Sequence, residues 1–247
     1  MSAQPKPRQA ASVILLRGAG RKGFEVFLIK EPNNTAFLGG MYCYPGGAVS
    51  TDDCAERMMR RCAGLTPEQA RKIIGAQFSP RQALGLWVAA IRELFEEVGV
   101  LFAVKASAER HSMNPSERLR FAAKQQALLE ASLSFVDLLE SEDLYCDPSR
   151  LGFFSHWQTP AHTSVRFDTR FFVAALPLDQ TPVSLSDEVA HSLWLTPEGA
   201  MQLHAHGKLP MIFPTFAALR TLADFETLES VLREFKIPAA IALAVGS

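Results

Sequence analysis

At 247 residues the chain is long for one domain, and its 48% hydrophobic content is ample for a packed core and excludes general disorder. A formal net charge of −1 removes the electrostatic case for a nucleic-acid or anionic-membrane partner. Residues 1–10 are polar and proline-bearing and read as a loose arm. Residues 11–16 read as a strand, 17–23 as a glycine-rich turn and 24–29 as the returning strand of a hairpin. The apolar run at 13–16 is too short for a secretory signal. A loop at 30–34 leads through Phe37-Leu38-Gly39-Gly40 into a short strand ending at Tyr44, and then into Pro45-Gly46-Gly47.

Residues 56–62 look helical, and Thr66-Pro67-Glu68-Gln69 opens a second short helix with its own cap signals. Arg57, Arg60 and Arg61 suit either a phosphate or a solvated helix face. The strongest local signal follows at 79–98. Ser79 is a good N-cap, Pro80 suits the first helical position, Gln82 completes a capping box and Gly99 supplies the stop. Leu84, Val88, Ile91, Phe95 and Val98 fall on one side of this helix, and Glu93, Glu96 and Glu97 on the opposite side. Like charges three and four apart cost ~0.2–0.5 kcal/mol per pair, a sign that a divalent cation would reverse. Arg92 reaches Glu96 at i+4, but one arginine does not neutralise three carboxylates. A solvated acidic face and a metal site both remain open on the helix alone.

Residues 101–104 begin a strand or tight link, and 115–130 are helical by pattern, with Leu119, Ala122, Ala123, Gln126 and Leu129 spaced for one face. Another helical turn at 135–139 completes an all-helical block at 105–146. It reads as a cap over a site or as a homodimer surface. Residues 151–157 and 166–176 read as strands. In the second, Arg166, Asp168 and Arg170 project one way and Phe167, Thr169 and Phe171 the other. Asp168 bridges the two arginines there, or one arginine faces an anionic substrate. His162 is read as structural. Asp187-Glu188-Val189 precedes a strand at 193–195, Thr196-Pro197-Glu198 caps a short helix, and a terminal helix runs from about 216 to 235. The four cysteines show no CxxC spacing, which argues against zinc and for reduced thiols. The apolar stretch at 237–245 is about half a membrane span, so the expectation is a soluble cytoplasmic protein with no membrane partner.

Arg92-Glu93-Leu94-Phe95-Glu96-Glu97-Val98-Gly99-Val100 matches the second half of the Nudix box, REUXEEXGU, and Tyr44-Pro45-Gly46-Gly47 resembles its entry. Gly47 and Arg92 stand 45 positions apart, so the box looks split by an insertion at about 51–81. The glutamate expected six places after the glycine has Asp52 or Asp53 as its stand-in. The split box, the RFDTRFF strand and the PTFAALR helix start resemble the branch of peroxisomal coenzyme A diphosphatases and their bacterial relatives. Lys30 and Glu31 replace the arginine and serine of that branch's coenzyme A signature, and Val245-Gly246-Ser247 is no peroxisomal address.

The resemblance implies an α/β fold, a Nudix α/β/α sandwich with a mixed sheet. One domain would span 11–247, with helical insertions at about 51–81 and 105–146. It implies a hydrolase that cleaves a nucleoside diphosphate linked to a bulky moiety, with coenzyme A or acyl-coenzyme A as leading candidate. Glu96 and Glu97 would hold Mg²⁺ or Mn²⁺, with Glu188, ahead of Asp187, completing the shell. Glu93 would activate water or join that shell, and Arg92 would hold a box glutamate in place. Gly46 and Gly47 would let the diphosphate approach the backbone, and Arg166 and Arg170 would bind the small-molecule nucleotide substrate. Two alternatives share the fold: a catalytically silent nucleotide-binding module, and an isoprenoid diphosphate isomerase using Cys43.

Overall fold

The computed structural model describes residues 6–20, 23–35, 38–107, 109, 111–163 and 165–237. The first five residues of the expected arm, Phe37 and the apolar stretch after Ile237 lie outside the described residues. β1 (Arg8–Gly18) and β2 (Phe24–Lys30) form the expected hairpin, with Leu16 opposite Val26. β1 starts inside the expected arm, because Arg8, Gln9 and Ala10 pair with Phe167, Asp168 and Thr169. Hydrogen bonds from a strand distant in sequence hold this stretch, so its own polarity does not predict it.

β3 (Tyr42–Cys43) and β4 (Gly46–Ala48) lead into the first insertion, which holds a 3-10 turn at Asp52–Cys54, α1 (Glu56–Met59) and α2 (Pro67–Ile74). α3 (Pro80–Val98) follows, with the Ser79–Gln82 capping box in place and Gly99 left-handed at φ 70°. Most of its circumference is buried, Trp87 and Phe95 almost completely. Beyond it come β5 (Ala103–Lys105), α4 (Pro115–Leu129), α5 (Phe135–Ser141) and β6 (Leu144–Cys146). The block at 105–146 is therefore not all helical: β6 closes it by pairing with β5.

α4 also turns a different face inward than its spacing suggests. Leu119 is 78% exposed, while Phe121, Gln125 and Leu128 are buried. Phe121 stacks edge-on against Phe95. Gln125 donates to the Glu96 carbonyl at 3.0 Å, which fixes the helix by a polar contact that hydropathy cannot reveal.

The chain ends through β7 (Gly152–Gln158), β8 (Phe167–Ala175), β9 (His191–Leu195), α6 (Pro197–Ala205), α7 (Phe213–Leu222) and α8 (Leu228–Glu234). The expected single terminal helix is two helices, because Thr227 and Ser230 form a capping box that restarts the chain. The seven-stranded sheet runs β3-β2-β1-β8-β7, with β4 on β1 and β9 on β2. β1 and β8 are parallel neighbours and the other pairs are antiparallel. Alternate residues of β1 feed two cores: Ala11, Val13 and Leu15 pack toward α3, Ile14 and Leu16 toward α7 and α8. Among the described residues no helix is long and apolar enough to cross a membrane.

Candidate active site

The carboxylates of α3 meet the glycines of β4, and a few contacts fix that meeting. Ser12 on β1 donates to the Pro45 carbonyl at 2.9 Å, and the Val13 amide donates to the same oxygen at 2.8 Å. This pins the turn that delivers Gly46 and Gly47. The Gly46 amide donates to Glu97 Oε2 at 2.9 Å. A side chain on Gly46 would begin 2.3 Å from the Ala11 carbonyl, so only glycine fits there, and one on Gly47 would begin 2.5 Å from the Glu93 carboxyl and displace it.

Arg92 sits at the centre of the acids. Its Nε and Nη2 donate to the two oxygens of Asp53 at 2.8 and 3.0 Å, the bidentate geometry of a guanidinium on a carboxylate. Nη2 also reaches the Ala48 carbonyl at 3.0 Å, and Nη1 lies 2.8 Å from Glu96 and 2.9 Å from Glu93. Of the two stand-ins for the box glutamate, Asp53 takes the arginine, while Asp52 is exposed. The Ser50 amide holds Asp53 from the other side at 2.7 Å.

The electrostatics leave this cluster short of positive charge. Burial, with Glu96 and Asp53 adding to it against Arg92, pushes the Glu93 carboxyl up to about 7. Glu97 is raised well above the usual carboxylate range by complete burial and then by Glu93, and Glu96 is raised by burial. Two further acids reach in. Glu188 is exposed on the loop before β9, yet its charge raises Glu31, Glu96 and Glu97; Glu31, at the end of β2, is raised by burial and then by Glu188.

Four acids, Glu93, Glu96, Glu97 and Glu188, therefore suit hard divalent cations, which take oxygen ligands. Among the described residues no three such side chains already form a closed metal cage. Glu96 is turned to Arg92 and Glu97 to the Gly46 amide, contacts that an arriving cation must compete with.

Two cavities flank the cluster. One, of about 590 Å³, is lined by Gly46, Gly47, Glu31 and Cys43 on the side of the acids, and by Tyr44, Trp157, Phe167, Phe171 and Phe213 beyond. The other, of about 460 Å³, lies between Asp53, Arg92 and Glu96 and the α4–α5 segment at Leu128 and Leu133–Asp137. The segment from Leu128 to Asp137 thus stands over the Glu96 side of the site.

Of the expected substrate arginines, Arg170 is turned away from the larger cavity, and Arg166 lies beside the Thr159 wall of that cavity. Arg170 lies on the opposite face of β8 from the larger cavity, with its guanidinium over Phe78 and paired to Asp168. Arg166 reaches the Thr159 carbonyl at 3.4 Å. Arg57, Arg60 and Arg61 are likewise taken by acids: Arg57 by Asp137 and Glu140, Arg60 by Glu56, Arg61 by Asp143. The Arg57 and Arg61 pairs tie the α1 segment to α5 and the residue two past its end.

Residues 7–222 match the family described as the NUDT19 Nudix domain. The chain belongs to the NUDT19-type Nudix hydrolases. It is 26% identical over 268 residues to the acyl-coenzyme A diphosphatase NUDT19 of Gallus gallus, covering 91% of this chain and 70% of that one. With the Homo sapiens protein of the same description it shares 25% over 288 residues, covering 97% and 75%. The crystal structure of a Nudix hydrolase from Alicyclobacillus acidocaldarius superposes with a TM-score of 0.75 at 26% identity, over 95% of this chain and 99% of that one. The fold is accordingly the α/β Nudix fold with a mixed sheet. In this NUDT19-type chain, sequence reasoning missed Ser12, Glu31 and Gln125 as neighbours of the site. Ser12 and Gln125 act on backbone carbonyls and carry no motif.

Proposed function

We propose that the protein hydrolyses the diphosphate bond of a nucleotide linked to a bulky group, with coenzyme A or acyl-coenzyme A as the leading substrate. The observation that carries this is the under-neutralised acid cluster on α3 lying directly behind two glycines that also wall a large apolar cavity. A volume of about 590 Å³ falls within the range of small-molecule sites, and its aromatic lining suits a base or an acyl chain. Arg8 lines the same cavity and is exposed, so a cation is at hand for an anionic group on that half of the substrate. The acyl-coenzyme A diphosphatases above give the chemical precedent.

In this reading Glu96 and Glu97 hold Mg²⁺ or Mn²⁺, with Glu188 reaching in from its loop. The bound cation supplies charge neutralisation at the diphosphate. Arg92, clamped by Asp53, keeps Glu93 and Glu96 in register. Glu93, one helical turn before Glu96 and Glu97 on α3, accepts the proton of the attacking water. Gly46 and Gly47 leave room for the diphosphate against the backbone. Attack at one phosphorus breaks the anhydride bond and yields two phosphorylated halves.

The isomerase alternative needs a reactive Cys43. Burial pushes that thiol well above its usual range, and Glu31 and Glu97 push it further, which opposes a reactive thiolate. The test is a Mg²⁺-supported panel of coenzyme A, acyl-coenzyme A, NADH, ADP-ribose and nucleotide sugars, with products separated by chromatography. Two phosphorylated products from the coenzyme A compounds are expected. Cleavage of nucleoside triphosphates alone contradicts the cavity argument, and no cleavage of any diphosphate favours the silent binding module.

A further inference from the structure

Two of the four cysteines are direct neighbours. Cys62, just past α1, and Cys146, the last residue of β6, form an isolated parallel bridge. It is framed by the Ala63 amide donating to the Cys146 carbonyl at 2.9 Å and the Cys146 amide donating to the Arg61 carbonyl at 2.8 Å. Bridged backbones lie ~4.7–4.9 Å apart. That falls inside the Cα separation of about 4.4–6.8 Å which a disulfide spans. Burial, and then the neighbouring Cys62 thiol, raises the Cys146 thiol well above its usual range, and Cys62 donates to the Met58 carbonyl at 3.3 Å. Their exposure differs: Cys146 is fully buried, while Cys62 is half-buried. No such partnership is seen for Cys43, which contacts Glu31, or for Cys54, which packs against Gly85.

We propose that Cys62 and Cys146 are a modification site, a dithiol that a peroxide closes to an intramolecular disulfide. Peroxide transfers one oxygen to Cys62 Sγ, giving a sulfenic acid and one water. Cys146 Sγ then attacks that sulfur; the departing hydroxyl leaves with the Cys146 proton as a second water, and the S–S bond forms. Both thiols are oxidised by two electrons in total and the peroxide is reduced. The order follows from burial, since Cys62 is the less buried thiol of the two. The bond would tie the first insertion to the second, segments otherwise joined across the surface by the Arg57 and Arg61 ion pairs. It would also close a long loop of chain, the case in which a cross-link constrains the unfolded state most.

The experiment treats the reduced full-length protein with a small excess of hydrogen peroxide, followed by non-reducing digestion and mass spectrometry. The expected result is a mass loss of about 2 Da and a Cys62–Cys146 linked peptide that dithiothreitol separates. The melting temperature of the oxidised protein should rise by roughly 5–10 °C. Cys62→Ser, a change at a half-buried position, should abolish both the mass loss and the rise. Oxygen adducts without a link, a link through Cys43 or Cys54, or an unchanged mass in the folded protein would overturn the site. A link that leaves the melting temperature unchanged or lower would overturn the bracing role.

Discussion

The sheet and its helices hold two charged clusters built from similar residue types, and their charge balance is opposite. Around Asp168, one carboxylate accepts from Arg170, His156 and Gln9. Burial works against its charge, but these partners outweigh burial and hold the carboxyl below its usual range. Around Arg92, one guanidinium faces Asp53, Glu93 and Glu96, with Glu97 and Glu188 close by, and the carboxyls of Glu93, Glu96 and Glu97 are all raised. A buried polar network with every member satisfied braces a fold. One left with excess like charge stores a preference for an incoming cation. The difference supports the proposal that the Asp168 cluster braces the fold and the Arg92 cluster carries the chemistry.

The largest expected effect is at Glu97. Glu97→Gln keeps the shape and the Gly46 contact but removes a charge, and kcat should fall by on the order of 10²-fold or more with Mg²⁺ saturating. Melting temperature should hold or rise, because a buried uncompensated acid is removed. Near-wild-type turnover would break the assignment of this cluster to chemistry.

Glu93→Gln comes next, with a loss of roughly 10²-fold in kcat and a smaller change in KM, read from steady-state kinetics. A change confined to KM would make Glu93 a binding residue and move the base elsewhere, with Glu188 next in line.

Asp168→Asn should act the other way round. It leaves Arg170, with a side chain only 4% exposed, without its carboxylate. A loss of about 3 kcal/mol follows from breaking a buried pair, which is a fall of roughly 6–12 °C in a thermal melt. Turnover of the folded fraction should stay within a few-fold. A large rise in KM with an unchanged melt would restore Arg170 to substrate binding.

The smallest effect is in pH. Glu93 has its folded pKa raised to about 7, so its stability contribution is full below the ordinary carboxylate pKa and is lost as pH rises toward and through 7. Asp168, held low, contributes above its ordinary pKa and loses that contribution as pH falls through its folded value. Calorimetry without divalent cations should therefore give a melting temperature a few degrees lower at pH 8 than at pH 5.5, and Mg²⁺ should shrink that gap. A melt that rises between those pH values without Mg²⁺ contradicts the charge reading of the Arg92 cluster.

Much of this could be read from the chain itself, and the reason lies in the range of the interactions. The Ser79 cap, the Gly99 stop, the β1–β2 hairpin and the REUXEEXGU half of the box depend on contacts within a turn or two, and they form where the residues indicate. The pairing of Asp53 with Arg92 spans an insertion, and only its position six places after Gly47 pointed to it. The substrate role expected of Arg170 met a strand face that alternation specifies correctly, but alternation does not say which face the cavity occupies. The inward face of α4 went astray for a related reason: Leu119 fits the pattern, yet Phe121 finds Phe95, and Gln125 finds a free carbonyl on α3.

The sequence by itself thus determined the Nudix half-box, the helix that bears it and the excess of acid on one side of that helix. Only the tertiary structure decided which aspartate holds Arg92, which arginines are already paired, and that Cys62 meets Cys146. Local propensities and periodicities act over a few residues. Charge balance and thiol pairing depend on which distant segments the packing of the sheet and insertions brings within a few ångströms.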